Sequence, residues 1–430
     1  MTDTGTQTGE DWTDENASDN GIDDGAIMDH DGTAADDALT DDALADDTLA
    51  GQWDAQLSEA DIRRAIVQAR TIVVKVGSSS LTSSSGHLDV SRLTTIVTAL
   101  SHAVMSGARL VLVSSGAVAA GFGPLGFDTR PDDPVTRQAA AAVGQGLLMA
   151  HYEQAFSRYG VRVGQVLMTA FDTIRSSHYH NVQSTLKRML ELGVVPIVNE
   201  NDTLVTSEVK FGDNDRLSAL VANIVRADAL VLLTDVDGLY TAPPSQPGAR
   251  RIGYVPNVVA QLDGIEVGDS TSGVGTGGMV TKLEAARIAA VSGIPTVLTS
   301  ARYAGPAVMG DPVGTVFAPV KHRGTSRRLW IRFASNPKGT VVADDGAVRA
   351  IRGGRASLLA AGTVGVDGTF SAGDPIWVDS EEGRHVAKGL AGFDSDELPQ
   401  MLGRTSKQLS RFLGEEYARP VVHRDNLVLV

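Results

Sequence analysis

Cysteine is absent from all 430 residues. Its absence excludes disulfide frameworks, thiol nucleophiles, cysteine zinc sites and iron–sulfur clusters together, and it fits a reducing, cytoplasmic setting. Lysine and arginine are absent from residues 1–60, which hold 18 acidic side chains, whereas the rest of the chain holds 34 acids and 37 bases. The formal net charge of −15 therefore belongs to one segment, and the remainder is close to neutral. No uninterrupted apolar run is long enough for a membrane helix. The best uncharged stretch, Leu110 to Phe127, is broken by Ser114, Ser115, Pro124 and glycines. The N-terminus lacks a basic n-region, so a secretory signal is not expected. No Gly-Lys pair occurs, which removes a Walker A motif, and no G-x-S-x-G elbow occurs, which argues against an α/β-hydrolase.

What is present divides into three parts. Residues 1–60 read as an acidic disordered tail, with a five-residue unit repeated as ADDAL (35–39), TDDAL (40–44) and ADDTL (45–49). Such a segment repels itself and buries too little apolar surface to offset its ordering entropy. From 61 to 320, strand-like apolar runs alternate with helical stretches. The runs are Thr71–Val76, Arg109–Val113, Val161–Met168, Val194–Val198, Ala229–Leu233 and Pro295–Leu298. Leu93, Ile96, Val97, Leu100 and Val104 share one helical face, as do Leu217, Leu220, Val221, Ile224 and Val225. Val- and Leu-rich runs without alternation predict strands buried on both faces, and helices between them predict a mainly parallel α/β sheet. Thr203 to Phe211 reads as a small inserted hairpin. From 321 to 430 lies a small β-rich domain with a C-terminal segment, 16 bases against 13 acids, whose text from Arg327 to Arg404 turns to short strands rich in Gly and Asp.

Ligands of open α/β sheets bind beyond the carboxyl ends of the strands. There the chain carries Lys75-Val-Gly-Ser-Ser, Ser114-Ser-Gly, Asn199-Glu-Asn-Asp202, Gly212-Asp-Asn-Asp215 and Thr234-Asp235. A second concentration, Gly273-Val-Gly-Thr276-Gly277-Gly278, runs into Met279-Val280-Thr281-Lys282 and a predicted helix, which makes an anion site of exposed amides. The G-x-G-x-x-G within it does not follow the first strand of a βαβ unit, so it is not a dinucleotide fingerprint. Each feature has a plainer reading alone: a strand-end lysine is usually solvated, Ser-Ser-Gly is usually a turn, and Asp213 and Asp215 could be helix caps. Their recurrence at equivalent places in one predicted sheet favours a phosphate site. No metal site is expected. His178-x-His180 lacks a third ligand nearby, and Asp235-x-Asp237-Gly238 lacks most of an EF-hand's ligands.

The segments VVKVGSS (73–79), SSGAVAAG (114–121), VVPIVNENDTL (194–204), FGDNDRLSAL (211–220), LLTDVDGLYT (232–241) and SGVGTGGMVTK (272–282) resemble the amino-acid kinase superfamily, and within it the glutamate 5-kinase family. The C-terminal part, closing on GEEYARPVVHRDN, is similar to the PUA domain and end segment of that family. The resemblance implies an αβα sandwich followed by a β-rich PUA domain. It further implies ATP-dependent phosphorylation of the γ-carboxylate of L-glutamate, the first step of proline biosynthesis, with Mg²⁺ and with feedback inhibition by proline. By the same resemblance Lys75, Thr234, Asp235, Thr276, Gly277, Gly278, Met279, Val280, Thr281 and Lys282 contact ATP. Ser115, Asp202 and Asn214 hold glutamate. Asp215 orients the catalytic lysines, Lys75 and Lys282. A dimer or tetramer and a hand-off to glutamyl-phosphate reductase are implied as well.

The chemistry agrees with that reading. A γ-carboxylate is ionised at neutral pH, so no general base is needed, and the task is to bring an anion against a phosphate. Two readings compete. PUA domains often bind RNA, but the near-neutral C-terminal part offers only Arg323, Arg327 and Arg328 as a tight basic cluster, so RNA binding is not expected. The same fold could also act on another carboxylate.

Overall fold

The computed structural model describes residues 57–173, 176–204, 214–258, 278–320, 337–354 and 356–430, with 328, 331, 332 and 335 between them. In chain order its first part comprises α1 (Glu59–Val67), β1 (Thr71–Val76), α2 (Ser78–Leu81), α3 (Val90–Met105), β2 (Arg109–Ser114), α4 (Ala117–Gly121) and α5 (Pro134–Ser157). Next come β3 (Arg162–Met168), α6 (Ser176–Glu191), β4 (Val194–Glu200), α7 (Asn214–Ile224) and β5 (Ala229–Thr234). The short strands β6 (Leu239–Tyr240), β7 (Arg251–Ile252) and β8 (Tyr254–Val255) precede α8 (Met279–Val291), β9 (Thr296–Ser300), α9 (Ala304–Val308) and β10 (Thr315–Phe317).

The main sheet runs β3-β4-β2-β1-β5-β9-β10-β8. From β3 through β9 its neighbours are parallel, and β10 lies antiparallel to β9. Every residue of the central strands β1 and β5 is buried. Val73 faces a core shared with α7 and α8, whereas Ile72, Val74 and Val76 face a second core shared with α3 and α5. Two helical layers thus cover both faces, as continuous aliphatic runs require. β3 departs from the expectation of burial on both faces. It is the outermost strand, and Arg162, Gln165 and Leu167 are exposed.

Helix starts follow local chemistry. Asp89 accepts from the amides of Ser91 and Arg92 at the head of α3, and Asp133 accepts from Thr136 with Pro134 opening α5. α7 is buried on more than the one face its apolar spacing predicts, because Ser218, Ala219 and Ala222 are small enough to admit its neighbours. α8 meets it with Ala285, Ala286, Ala289 and Ala290, all buried in the same core. α4 and α5 cross even more closely. A Cβ on Gly121 would stand 1.8 Å from the Ala140 carbonyl oxygen, and one on Gly144 1.8 Å from that of Ala117.

The C-terminal part comprises β11 (Gly339–Ala343), α10 (Asp345–Arg352), β12 (Thr363–Gly368), β13 (Pro375–Ser380), β14 (His385–Leu390), α11 (Ser406–Phe412) and β15 (Leu427–Leu429). Its sheet runs β12-β11-β13-β14-β15 around a core of its own. β15 lies beyond the short-strand text that ends near Arg404, and it closes the sheet by pairing antiparallel with β14. Ile331 and Leu390 join the core of α7 and α8, so the second sheet packs against those helices. None of the described helices is long and apolar enough to cross a membrane.

Candidate active site

Lys75 sits near the end of β1, and the sheet carries its side chain inward to 4% exposure. Its ammonium lies 2.6 Å from Oδ1 of Asp215, which is fully buried in the first turn of α7. The other oxygen, Oδ2, faces Lys282 Nζ at 3.2 Å and accepts from the Thr281 hydroxyl at 3.0 Å. Lys282 and Thr281 lie in the first turn of α8, where both side chains also donate to the Gly278 carbonyl. One carboxylate thus gathers two ammonium groups from two elements remote in sequence. Asp215 is therefore the anion around which this cluster is organised. The set carries one positive charge in excess, in a place where a buried charge is costly unless paired. It suits a ligand that brings negative charge.

Asn214, the residue before Asp215, faces a different neighbourhood. Its amide donates to the Ser114 carbonyl at 2.9 Å, to Ser115 Oγ at 3.1 Å and to Asn199 Oδ1 at 2.8 Å. Asn199 in turn donates to Gln145 Oε1 at 2.9 Å, and its Oδ1 accepts from the Glu200 amide. Ser114 Oγ and the Tyr152 hydroxyl are 2.8 Å apart, and burial pushes that phenol above its ordinary pKa. These bonds tie the ends of β2 and β4 to the start of α7. Ser115 opens a turn in which Gly116 adopts a φ of 104°, a conformation that favours glycine. Its amide donates to Val76 O, so the turn is pinned to β1 as well.

Asp202 stands in the turn after β4, its amide donating to the Glu200 carbonyl. Asp202 is close enough to Arg130 to favour that guanidinium's charge, although burial first and Arg137 next lower the arginine's pKa. On the other half of the sheet, Thr234 is buried at the end of β5 and donates to Asp235 Oδ1 at 2.8 Å. Gly278 is the residue before α8, and Met279 and Val280 begin the helix. Thr276, Gly277, Asp213 and most of the expected hairpin at 203–211 lie outside the described residues. His178 pairs with Asp172 at 2.9 Å, and no group of three metal-ligating side chains occurs among the described residues.

The structure therefore brings together Lys75, Asp215, Thr281 and Lys282 in one cluster, and Ser115 and Asn214 in an adjoining one. Three supporting residues carry no signal in the sequence. Gln145 and Tyr152 lie on α5, whose text carries no motif, and only long-range contacts reveal them. Arg130 likewise lies in a polar loop with no motif around it.

The amino acid kinase family model matches residues 70–300, and the PUA domain model matches residues 339–413. A glutamate 5-kinase of Bifidobacterium longum is 70% identical over 373 residues, covering 87% of this chain and 99% of its own. Glutamate 5-kinases of Streptomyces coelicolor (54% identical, 86% of this chain and 99% of its own) and Thermobifida fusca (53%, 86% and 95%) are also similar. Among solved structures, carbamate kinase from Giardia lamblia bound to AMP-PNP covers 59% of this chain and 99% of its own. Its identity is 16% and its TM-score 0.44, too loose a likeness to build upon.

Proposed function

The chain belongs to the glutamate 5-kinase family, and from that premise we propose that it phosphorylates the γ-carboxylate of L-glutamate with ATP through the cluster around Asp215. An oxygen of the γ-carboxylate forms a bond to the γ-phosphorus of ATP. The bond from that phosphorus to the β,γ-bridging oxygen breaks, and its electron pair leaves with ADP. The product is L-glutamyl 5-phosphate. The nucleophile, with an ordinary pKa of about 4.3, is already ionised and needs no base. What the protein must supply is alignment and positive charge against the charge spread over the transferred oxygens.

The observation that carries the reading is the buried Lys75–Asp215–Lys282 arrangement. Asp215 holds each ammonium in place without neutralising both. The lysines then offer fixed charge to the phosphoryl group from β1 and from α8. ATP would rest on the head of α8, from Thr276 and Gly277 through Lys282, with Thr234 and Asp235 at its other side. Backbone amides at the start of a helix suit a phosphate. L-Glutamate would be held by Ser115 and Asn214, with Asp202 facing its α-ammonium. The described carboxylates do not gather into a cation cage. Mg²⁺ therefore enters the proposal as the companion of the ATP phosphates, the way it commonly binds.

The test is a trapping assay. The full chain is incubated with ATP, Mg²⁺, L-glutamate and hydroxylamine, and γ-glutamyl hydroxamate is measured, with aspartate and N-acetylglutamate as competing substrates. Hydroxamate that depends on ATP and on glutamate is expected. ATP binding with no hydroxamate from glutamate, but product from another carboxylate, would overturn the substrate assignment.

Three further parts of the proposal rest on family membership. Proline should suppress hydroxamate formation, acting at the insertion 203–211; an unchanged rate at saturating proline would refute this. The enzyme should be a homo-oligomer, a dimer or tetramer, located in the cytoplasm. Val135, Val143 and Leu147 form an exposed apolar stripe on α5, which supports self-association. A monomer in analytical ultracentrifugation would refute it. The labile acyl phosphate should pass to a glutamyl-phosphate reductase, and a pull-down that recovers none would count against a direct hand-off. RNA binding by the C-terminal domain is not expected, and a salt-dependent gel shift would test that.

A further inference from the structure

The first turns of α7 and α8 carry the clustered charges, so the register between these two helices decides where Lys282 stands against Asp215. Apolar packing alone fixes that register poorly. Burial drives the helices together without direction. Many of their buried side chains are small, Ser218, Ala219 and Ala222 on α7 and Ala285, Ala286, Ala289 and Ala290 on α8, so the ridges they form are shallow. Nor does a side chain cap the head of α8, where Gly278 is the residue before the helix. The register must come from directional contacts.

Two sets of such contacts cross from α7 to α8, from consecutive residues of α7 and with opposite polarity. Asp215 holds Lys282 at 3.2 Å and the Thr281 hydroxyl at 3.0 Å. Arg216, the next residue, grips Glu284 with two nitrogens, Nη2 2.5 Å and Nε 2.6 Å from Oε2. The arginine side chain is 15% exposed and the glutamate side chain 26%, so water competes little for the pair. Consecutive residues of a helix diverge by about 100°, so Asp215 and Arg216 leave α7 on different bearings. Lys282 and Glu284, two positions apart on α8, diverge by about 200°. A single link permits rotation about itself, whereas two on different bearings resist it. The alternation of charge also penalises a slip. Exchanging partners would set Asp215 against Glu284 and Arg216 against Lys282, like charge against like.

We propose that Arg216 and Glu284 are positioning residues for phosphoryl transfer, a pair that keeps Lys282 in register with Asp215 once ATP engages the lysine. The proposal rests on the reading of Asp215 and Lys282 given under Proposed function. Lys282 stands farther from Asp215 than Lys75 does, 3.2 Å against 2.6 Å, and a phosphate competes for its charge. As the ammonium turns toward the phosphoryl group, its hold on α7 weakens at the step that depends most on alignment. Arg216 and Glu284 are engaged with each other, so that step leaves their link intact.

The experiment uses the full chain, with kcat, KM and ligand-free thermal unfolding measured for Arg216→Met, Glu284→Met and the Arg216→Met/Glu284→Met double. Each single variant strands one largely buried charge, so its unfolding midpoint should fall by about 2–6 °C. Its kcat should fall about 5- to 20-fold, with KM for glutamate and ATP within about twofold of wild type. The double variant strands no charge and methionine fills the space, so its midpoint should return to within about 2 °C of wild type. Its kcat should stay as low as in the single variants, because the directional link is still missing. Wild-type kcat in either single variant would overturn the proposal. So would a kcat that recovers together with the midpoint in the double, since that is the behaviour of a pair that only stabilises the fold. A rise in KM in place of the fall in kcat would overturn it as well. Should a single variant fail to fold, the double decides. Lys282→Met is run alongside. If it stays active, the catalytic reading falls and this one with it; if it is inactive while the double variant turns over at the wild-type rate, only this one falls.

Discussion

Replacing Asp215 by asparagine removes one charge and almost no volume. Its two oxygens hold Lys75 at 2.6 Å and Lys282 at 3.2 Å, so the ammonium groups stand roughly 5–7 Å apart. At an effective dielectric of about 20, their mutual repulsion is about 2.4–3.3 kcal/mol. In the native protein the carboxylate outweighs it; in the variant nothing at that position does. Breaking a buried pair by removing one partner typically costs about 3–5 kcal/mol. The ligand-free variant should therefore unfold roughly 5–10 °C below wild type in a thermal scan at pH 7. ATP brings the missing negative charge, so its stabilising shift should be larger in the variant than in wild type. Turnover should move the other way, falling about 10²- to 10³-fold as the lysines lose their fixed positions. The assays are thermal unfolding with and without ATP, and ADP release under saturating substrates. An unchanged ligand-free midpoint together with an ATP shift no larger than in wild type would refute the electrostatic account of this cluster.

Three other outcomes follow from the same geometry. Lys75→Met and Lys282→Met should each lower kcat about 10²- to 10³-fold with little change in glutamate KM, and near-normal turnover in either would end the two-lysine scheme. Asn214→Ala strips donors from the Ser114 carbonyl, Ser115 Oγ and Asn199 Oδ1. Glutamate KM should rise about tenfold or more while ATP KM holds, and equal rises in both would count against the assignment. Gly144→Ala places a methyl group 1.8 Å from the Ala117 carbonyl, which must force α4 and α5 apart. A loss of about 1–3 kcal/mol in stability and a higher glutamate KM are expected, read by thermal unfolding and steady-state kinetics.

The sheet was legible because its strands are continuous β-branched and leucine runs that cannot be solvated on either side. Thr71–Val76 is read to the residue, and the other main strands differ by one or two residues at their ends. β3 misled for a physical reason. Its composition matches a central strand, and edge position is a property of topology, not of local text. Asp215 shows the same limit at the site. An aspartate at a helix start reads equally as a cap or as a functional anion, and only Lys75, some 140 positions earlier in the chain, distinguishes them. Gln145 and Tyr152 were invisible because their partners, Asn199 and Ser114, lie on other elements.

α7 has a consequence for how substitutions should distribute. The chain reaches it from β4, on the side of the sheet that holds Ser115 and Asn199, and leaves it for β5, on the side of Thr234. Its first turn carries Asn214, which bonds Ser115 and Asn199, and Asp215, which pairs with Lys75 and Lys282, the two neighbourhoods to which the proposal assigns glutamate and the transferred phosphate. A rigid displacement of this one helix therefore perturbs both half-sites at once, whereas changes in the turns after β2, β4 or β5 perturb one. Variants along α7 should fall near a single line when log kcat is plotted against log KM for either substrate. Variants in the strand-end turns should scatter off it. Selection on acceptor preference is accordingly freer in those turns than in the helix that couples them.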